Sequence, residues 1–245
     1  MPTYELDLII QPADLANIQT AQESIVIAKP VNNASGTPNV AWLCFAPIQT
    51  AKVSWQEQYA IYASTTQIQS GATIAQASAT NFPASDGICY GYSGNFTPNV
   101  TGPMPVSPGS YSVFNQMANP SIMTFGLTQS ALVNGSSINL TPINAQAVLT
   151  QQQAVFTPYT TVWVWLQATV ASGSVITNVY SKVAIVTFGG SVTKATLEYS
   201  GPGGVFVASS SSSALAMSAR GGAKPALAAA SSAQVQNVDF TGYAR

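Results

Sequence analysis

The sequence predicts an all-β fold: an antiparallel β-sandwich of immunoglobulin-like or jelly-roll-like type, followed by a low-complexity C-terminal arm. Three observations support this prediction. Short runs rich in Val, Ile, Thr and aromatic residues recur along residues 1–208, turn-rich spacers separate them, and no regular amphipathic helices lie between them. Two small sandwiches in place of one are an open alternative.

The first elements are a strand and a short helix. Apolar residues from Tyr4 to Ile10 alternate with Glu5 and Asp7, which is the period of a strand with one wet face. Residues 12–22 then suit a helix, because Pro12 fits a first turn and Asp14 fits the positive helix end.

Strands follow in close succession along the rest of the chain. They are predicted near residues 24–28, 39–46, 52–64, 73–79, 87–92, 111–116 and 122–129, and then near 137–140, 147–156, 160–170, 175–188, 192–199 and 205–208. The run 160–170 has bulky groups on both faces, so we expect it in the middle of a packed structure.

The predicted organisation is a sandwich domain at 1–208 and a Ser/Ala-rich arm at 209–245. A proline-rich connector near 93–110 is either a long crossover loop or a boundary between two domains. The arm has too little apolar surface to fold alone, so it is expected to lie against the parent domain or a neighbouring copy. Phe240 and Tyr243 are its candidate anchors.

The charge content limits the classes of partner. Only 6% of residues are charged and the net charge is −1, so the predicted exterior is polar but nearly neutral. A nucleic-acid partner is not expected, because such binding needs a basic patch. No signal peptide or membrane-spanning run is visible, which predicts a cytoplasmic protein or one exported without a classical signal. Peripheral membrane action stays open.

The catalytic repertoire is small. There is no histidine, no nucleotide-binding glycine motif and only two cysteines, so we predict no enzyme activity, no metal and no cofactor. Cys44 and Cys89 are expected to be buried free thiols, with one disulfide as the alternative. The pair Asp86-Gly87 is expected to form a turn, with a calcium ligand as the alternative.

Glu57 is the carboxylate with the most unusual context. It is predicted to share an apolar strand face with Trp55 and Tyr59. There it is buried with a raised pKa, pairs with a lysine such as Lys29, Lys52 or Lys182, or is solvated at a sheet edge. Paired carboxylates would be the one enzymatic option, as in glycoside hydrolysis.

Aromatic residues beside polar ones are candidate ligand or interface residues. Those selected from the sequence are Trp55, Glu57, Tyr59, Tyr90, Tyr92, Phe240 and Tyr243. Trp and Tyr can stack on sugars, although core packing is the ordinary use of such side chains.

Three functions are compatible with these features. The first is a non-enzymatic structural protein that associates with copies of itself, as a fibre, coat, layer or inclusion, through neutral β surfaces and an exchanged arm. The second is a lectin-like module that binds glycans. The third is a membrane-active, pore-forming toxin in which residues 65–80 rearrange into a hairpin.

Overall fold

The computed structural model describes residues 2–32, 36–177, 179, 181–209 and 234–239. The chain is mostly β, with 51% strand and a single helix among the described residues, and its antiparallel and mixed sheets form a sandwich-like fold. The predicted all-β class is confirmed.

The elements run along the chain as follows: β1 Thr3–Ile9, α1 Pro12–Thr20, β2 Glu23–Ala28, β3 Leu43–Phe45, β4 Thr50–Gln56, β5 Ala60–Ser64, β6 Ser78–Ala79, β7 Cys89–Tyr92, β8 Phe96–Thr97, β9 Tyr111–Asn115, β10 Ile122–Val133, β11 Ser136–Pro142, β12 Gln146–Leu149, β13 Gln153–Phe156, β14 Thr161–Ala168, β15 Lys182–Thr187, β16 Lys194–Ser200, β17 Val205–Ala208 and β18 Gln234–Asp239.

The largest sheet has nine strands. Its main path is β17-β16-β1-β4-β10-β5-β6, and β11 and β12 also pair with β10. The pairing of β1 with β16 is parallel, from Glu5 opposite Lys194 to Ile9 opposite Glu198, whereas β1 and β4 are antiparallel. The sheet is therefore mixed, although the sequence predicts antiparallel pairing throughout.

The second sheet has the order β18-β15-β14-β2-β3. One face of β14 presents Val162 and Val164 to the main core, and the other presents Trp163 and Trp165 to a separate apolar cluster. The expectation that this strand lies inside a packed structure is confirmed.

A third, four-stranded sheet has the order β13-β9-β7-β8. The main hydrophobic cluster joins all three sheets, with Leu6 of β1, Ile27 of β2 and Val113 of β9 among its fully buried members. Strands from both sides of the connector 93–110 pair with each other, as β4 does with β10. The strands therefore do not sort into separate sheets at this connector.

The observed strands differ from the predicted ones where the ends of a strand depend on its pairing partner. The predicted strand 52–64 is interrupted between β4 and β5, opposite an irregular step in β10 between Gln129 and Ala131. The run 175–188 contributes only β15, because residues near Val175 instead bridge to Val40. The strands β8 and β18 are not predicted from the sequence.

The single described helix agrees with the sequence pattern. It begins at Pro12 with Asp14 in its first turn, and it ends at Thr20, two residues before the predicted end. The following backbone turns away at Gln22, which has a positive φ of 55°.

Part of the predicted arm forms a strand. Along its whole length β18 pairs antiparallel with β15, from Lys182 opposite Asp239 to Thr187 opposite Gln234. The anchors proposed at Phe240 and Tyr243, like residues 210–233, lie outside the described residues.

Candidate functional site

A fully buried lysine lies at the centre of the fold. Lys29 directly follows β2, and its side chain has 0% exposure. Its Nζ donates hydrogen bonds to Oε1 and Oε2 of Glu57 at 2.8 and 3.1 Å, to Oε1 of Gln129 at 2.9 Å and to the hydroxyl of Tyr59 at 3.2 Å. A buried ammonium group requires such partners, because desolvating an unpaired charge costs several kcal/mol, of order 20 in the idealised limit.

Glu57 lies in the interruption between β4 and β5, where its side chain is 17% exposed. The indole Nε1 of Trp55 donates to its Oε1 at 2.7 Å, and the hydroxyl of Tyr59 donates to its Oε2. Of the alternatives raised by the sequence, the ion pair with Lys29 is the one that the structure shows.

Gln129 joins this cluster from β10 of the nine-stranded sheet. Its side chain is fully buried, and its Nε2 donates to the backbone oxygen of Gln56 at 2.6 Å. The indole Nε1 of Trp42 donates to the backbone oxygen of Gln129 at 3.1 Å. These bonds fix the carboxamide with its Oε1 directed at Lys29.

Aromatic rings form the walls of the cluster. Lys29 Nζ lies 5.4 Å from the ring centroid of Trp42, 5.7 Å from that of Trp55 and 5.4 Å from that of Tyr59. Cations at such distances are attracted by the faces of aromatic rings. We call Lys29, Glu57, Gln129 and these three aromatic residues the lysine cage.

Burial changes the acid-base properties of the cage. It lowers the pKa of Lys29, an effect that the negative charge of Glu57 opposes. It raises the pKa of Tyr59 well above the ordinary value, and the nearby Glu57 charge adds to that increase. The phenol therefore stays protonated and remains a hydrogen-bond donor near neutral pH.

The other sequence-selected aromatics lie apart from the cage. Tyr90 and Tyr92 are on β7 and are 7% and 4% exposed. The Tyr90 hydroxyl accepts the backbone N–H of Ser85 at 2.9 Å, and Tyr92 packs against Phe96 and Phe125. Their contact with a ligand or partner stays a prediction, as it does for the equally buried Trp55 and Tyr59.

A shallow groove of about 320 Å³ lies on the opposite face of the nine-stranded sheet, where β4, β10 and β11 meet. Its side chains are neutral: Thr3, Ser54, Gln56, Gln58, Ser130, Ser137 and Asn139 provide polar groups, and Phe82 and Leu132 provide apolar surface. Phe82 is 42% exposed and Leu132 is 45% exposed. Trp55, which is one of the residues selected from the sequence, also lines the groove. The groove combines five separate segments of the chain, so no local sequence pattern identifies it.

The remaining candidate groups have structural partners. Cys44 and Cys89 are free thiols, as in the first of the two alternatives for them, although only Cys89 is buried and Cys44 is half-buried. Asp86 accepts the backbone N–H of Gly109 at 2.5 Å, and Gly87 has a φ of 72°, as a turn requires. In the part of the chain that the structure describes, no cluster of His, Cys, Asp and Glu could hold a metal ion.

Comparison with known proteins yields no relative. No protein-family model matches the chain, no curated protein matches its sequence, and no solved structure matches its fold. No helix within the described ranges has both the length and the apolar character needed to cross a bilayer.

Proposed function

We propose that this protein is a non-enzymatic structural protein whose copies associate through sheet edges and exchange their C-terminal strands. The observation that supports this proposal most is the lack of charge on the outermost strands. Among the described residues, eight strands have a single paired neighbour: β3, β6, β8, β11, β12, β13, β17 and β18. Asp239 is the one charged residue that they carry.

Uncharged edges favour association. A sheet edge presents unpaired N–H and C=O groups, and natural monomers commonly protect it with lysines, prolines or inward-pointing charges. Here β11 carries Ser, Asn and Thr without a charge, and β13 and β17 carry only neutral residues. Little electrostatic repulsion therefore opposes the approach of a second copy.

Several of the charged residues form ion pairs within the chain. Lys29 and Glu57 pair inside the fold. On the outer face of the nine-stranded sheet, Lys194 contacts Glu5 and Asp7, and Lys52 lies 2.6 Å from Glu5. Three of the seven basic residues and three of the eight acidic residues thus form ion pairs within the described part of the chain.

β18 is the strand that we expect to be exchanged. It contributes a complete set of pairings to β15, which would otherwise be an edge of its sheet. The connection from Ser209 to Gln234 covers residues 210–233, and a chain of that length can span up to about 80 Å. The β15 strand of a neighbouring copy is therefore within reach, and a donated strand would pair as in β-strand addition.

Mixing two cysteine variants tests the exchange. Ile185 of β15 lies opposite Gln236 of β18, so Ile185→Cys in one copy and Gln236→Cys in another form a disulfide-linked dimer only when β18 crosses between copies. We expect that dimer after co-refolding and mild oxidation, together with oligomers of the native chain in native mass spectrometry.

The native chain, with Cys44 and Cys89 alone, is the control for unrelated disulfides. A chain carrying both Ile185→Cys and Gln236→Cys reports pairing within one copy. Monodisperse native monomers, with crosslinks confined to the doubly substituted chain, would contradict the proposal.

The groove supports a second candidate function, binding of neutral glycans. Amide and hydroxyl groups can bond to sugar hydroxyls, and the exposed ring of Phe82 offers an apolar face for a sugar ring. A glycan array should give signals that Phe82→Ala removes. Ile48→Ala is the matched control, because Ile48 is 41% exposed and does not line the groove. Equal signals from both variants would contradict this candidate.

A further inference from the structure

The lysine cage has the composition of a self-reacting centre. An amine, a carboxamide and a carboxylate converge in it, and both prospective reactants, Lys29 and Gln129, have 0% exposure. Nζ of Lys29 lies 2.9 Å from Oε1 of Gln129, and a C=O bond is about 1.2 Å long, so Nζ is within about 4 Å of the carboxamide carbon Cδ. An attack on a carbonyl carbon begins from about 3 to 3.5 Å, so Nζ has to move by about 1 Å or less to reach that separation.

We propose that Lys29 and Gln129 react with each other in the folded chain, joining Nζ to Cδ in an intramolecular amide crosslink with release of ammonia, and that Glu57 is the catalytic residue.

The reaction needs only the groups that are present. Nζ of the neutral amine attacks Cδ of Gln129, the Nζ–Cδ bond forms, and the Cδ–Nε2 bond breaks. One proton passes from Nζ to the departing Nε2 by way of the Glu57 carboxylate, so one amide and one ammonia molecule result. No electrons change hands, and neither an oxidant nor a second reactant is required.

The surroundings favour each part of this step. The burial that lowers the pKa of Lys29 favours the neutral amine, which is the nucleophilic form. Both carboxylate oxygens of Glu57 contact Nζ, at 2.8 and 3.1 Å, and Trp55 and Tyr59 hold that carboxylate through hydrogen bonds. Lys29 and Gln129 are both fully buried, so bulk water does not compete for the carboxamide carbon.

The position of the bond gives it a structural consequence. Lys29 follows β2 of the five-stranded sheet, whereas Gln129 lies in β10 of the nine-stranded sheet. The two residues are 100 positions apart, so the crosslink closes a long loop and joins the two sheets across the core. This inference concerns a single chain and is independent of whether copies associate.

Mass spectrometry of the unsubstituted chain, measured after denaturation, tests the proposal. We expect an intact mass lower than the sequence mass by one ammonia molecule, and a peptic digest in which the peptide containing Lys29 is joined to the peptide containing Gln129. Lys29→Met and Glu57→Gln should each restore the full sequence mass and separate the two peptides. Lys182→Met, which removes an exposed lysine, is the matched control and should keep the crosslink.

Each alternative outcome is distinguishable. If ammonia is lost at another residue, the two peptides stay separate. If one water molecule is lost and Lys29 is joined to Glu57, the amine has reacted with the carboxylate and not with Gln129. Either result overturns the proposal. So does a native chain of full mass. The mass and the digest of the unsubstituted chain are measured after it has folded and then been denatured. They therefore remain decisive even where a cage variant does not fold.

Discussion

Replacing Gly126 by alanine should destabilise the fold strongly. Gly126 lies in β10 opposite Tyr62 of β5, and an added Cβ would overlap the backbone oxygen of Asn144. The same Cβ would lie 2.7 Å from Cε1 of Tyr62 and 2.9 Å from the carbonyl carbon of Asn144. The segment around Asn144 can approach β10 only because residue 126 has no side chain.

The size of the effect follows from what must move. The backbone oxygen of Asn144 accepts a hydrogen bond from the buried hydroxyl of Tyr62 at 2.8 Å. The side-chain Oδ1 of Asn144 accepts one from the backbone N–H of Leu127 at 2.8 Å. Overpacking of a core costs about 1 to 3 kcal/mol, and a broken buried hydrogen bond costs a similar amount, which gives a loss of about 4 kcal/mol. For a chain of this size, Tm should fall by about 8 to 16 °C.

Urea denaturation followed by tryptophan fluorescence measures this change in the free energy of unfolding. Gly203→Ala is the matched control, because its Cβ would meet only Ser200 Oγ at 3.1 Å and two atoms at 3.5 Å. If Gly126→Ala unfolds within about 1 kcal/mol of the control, the close approach of Asn144 does not determine stability and the reasoning is refuted.

Three further predictions concern charges. In Glu57→Gln the amine of Lys29 stays uncrosslinked and loses its counter-charge, so this variant should be less stable than the native chain by at least about 3 to 5 kcal/mol at neutral pH. Since burial lowers the pKa of that amine, urea denaturation should show part of the loss disappearing as pH rises. Hydrogen bonds from two lysines lower the pKa of Glu5, so its contribution is present above the unfolded-state pKa and is lost on acidification. Thermal melts should therefore show a smaller acid-induced decrease in Tm for Glu5→Gln than for the native chain. The difference in the free energy of unfolding should be below about 1 kcal/mol, because these ion pairs are at the surface. Burial and then the charge of Asp86 raise the pKa of Tyr111 to about 12, so Asp86→Asn should lower that pKa in an ultraviolet titration.

Each of these predictions has a contradicting result. A Glu57→Gln chain as stable as the native one would show that the buried ammonium does not depend on this carboxylate. If Tm falls equally with acidification in Glu5→Gln and in the native chain, the surface ion pairs of Glu5 do not contribute to stability. An unchanged phenol titration in Asp86→Asn would show that the charge of Asp86 does not contribute to the raised pKa of Tyr111.

Local patterns predicted the elements whose identity depends on their own residues. The alternation in β1 and the two-faced apolar run in β14 are properties of single segments, and both strands form near their predicted places. The interruption at Glu57 lies between the two segments that pair with β10, which is far away in the sequence, so no local pattern in residues 52–64 predicts it.

The cage could be predicted only in part. An ion pair of Glu57 with Lys29, Lys52 or Lys182 is among the alternatives that the sequence predicts, because a carboxylate on an apolar strand face is stabilised by a partner. Gln129 carries no such signal: a neutral residue in a β-strand is unremarkable until the two sheets are placed together. The groove is hidden for the same reason, since it depends on the arrangement of β4, β10 and β11.

The parallel pairing of β1 with β16 has a consequence for the order in which the chain folds. Glu5 and Lys194 are 189 positions apart, so one side of the first strand stays without its neighbour until almost the whole chain has been synthesised. Contacts this distant in sequence slow folding, because a long loop must close before they form. The antiparallel pair of β1 and β4 is thus expected to keep one unpaired edge until β16 emerges from the ribosome, which makes that interval the stage most exposed to misassembly.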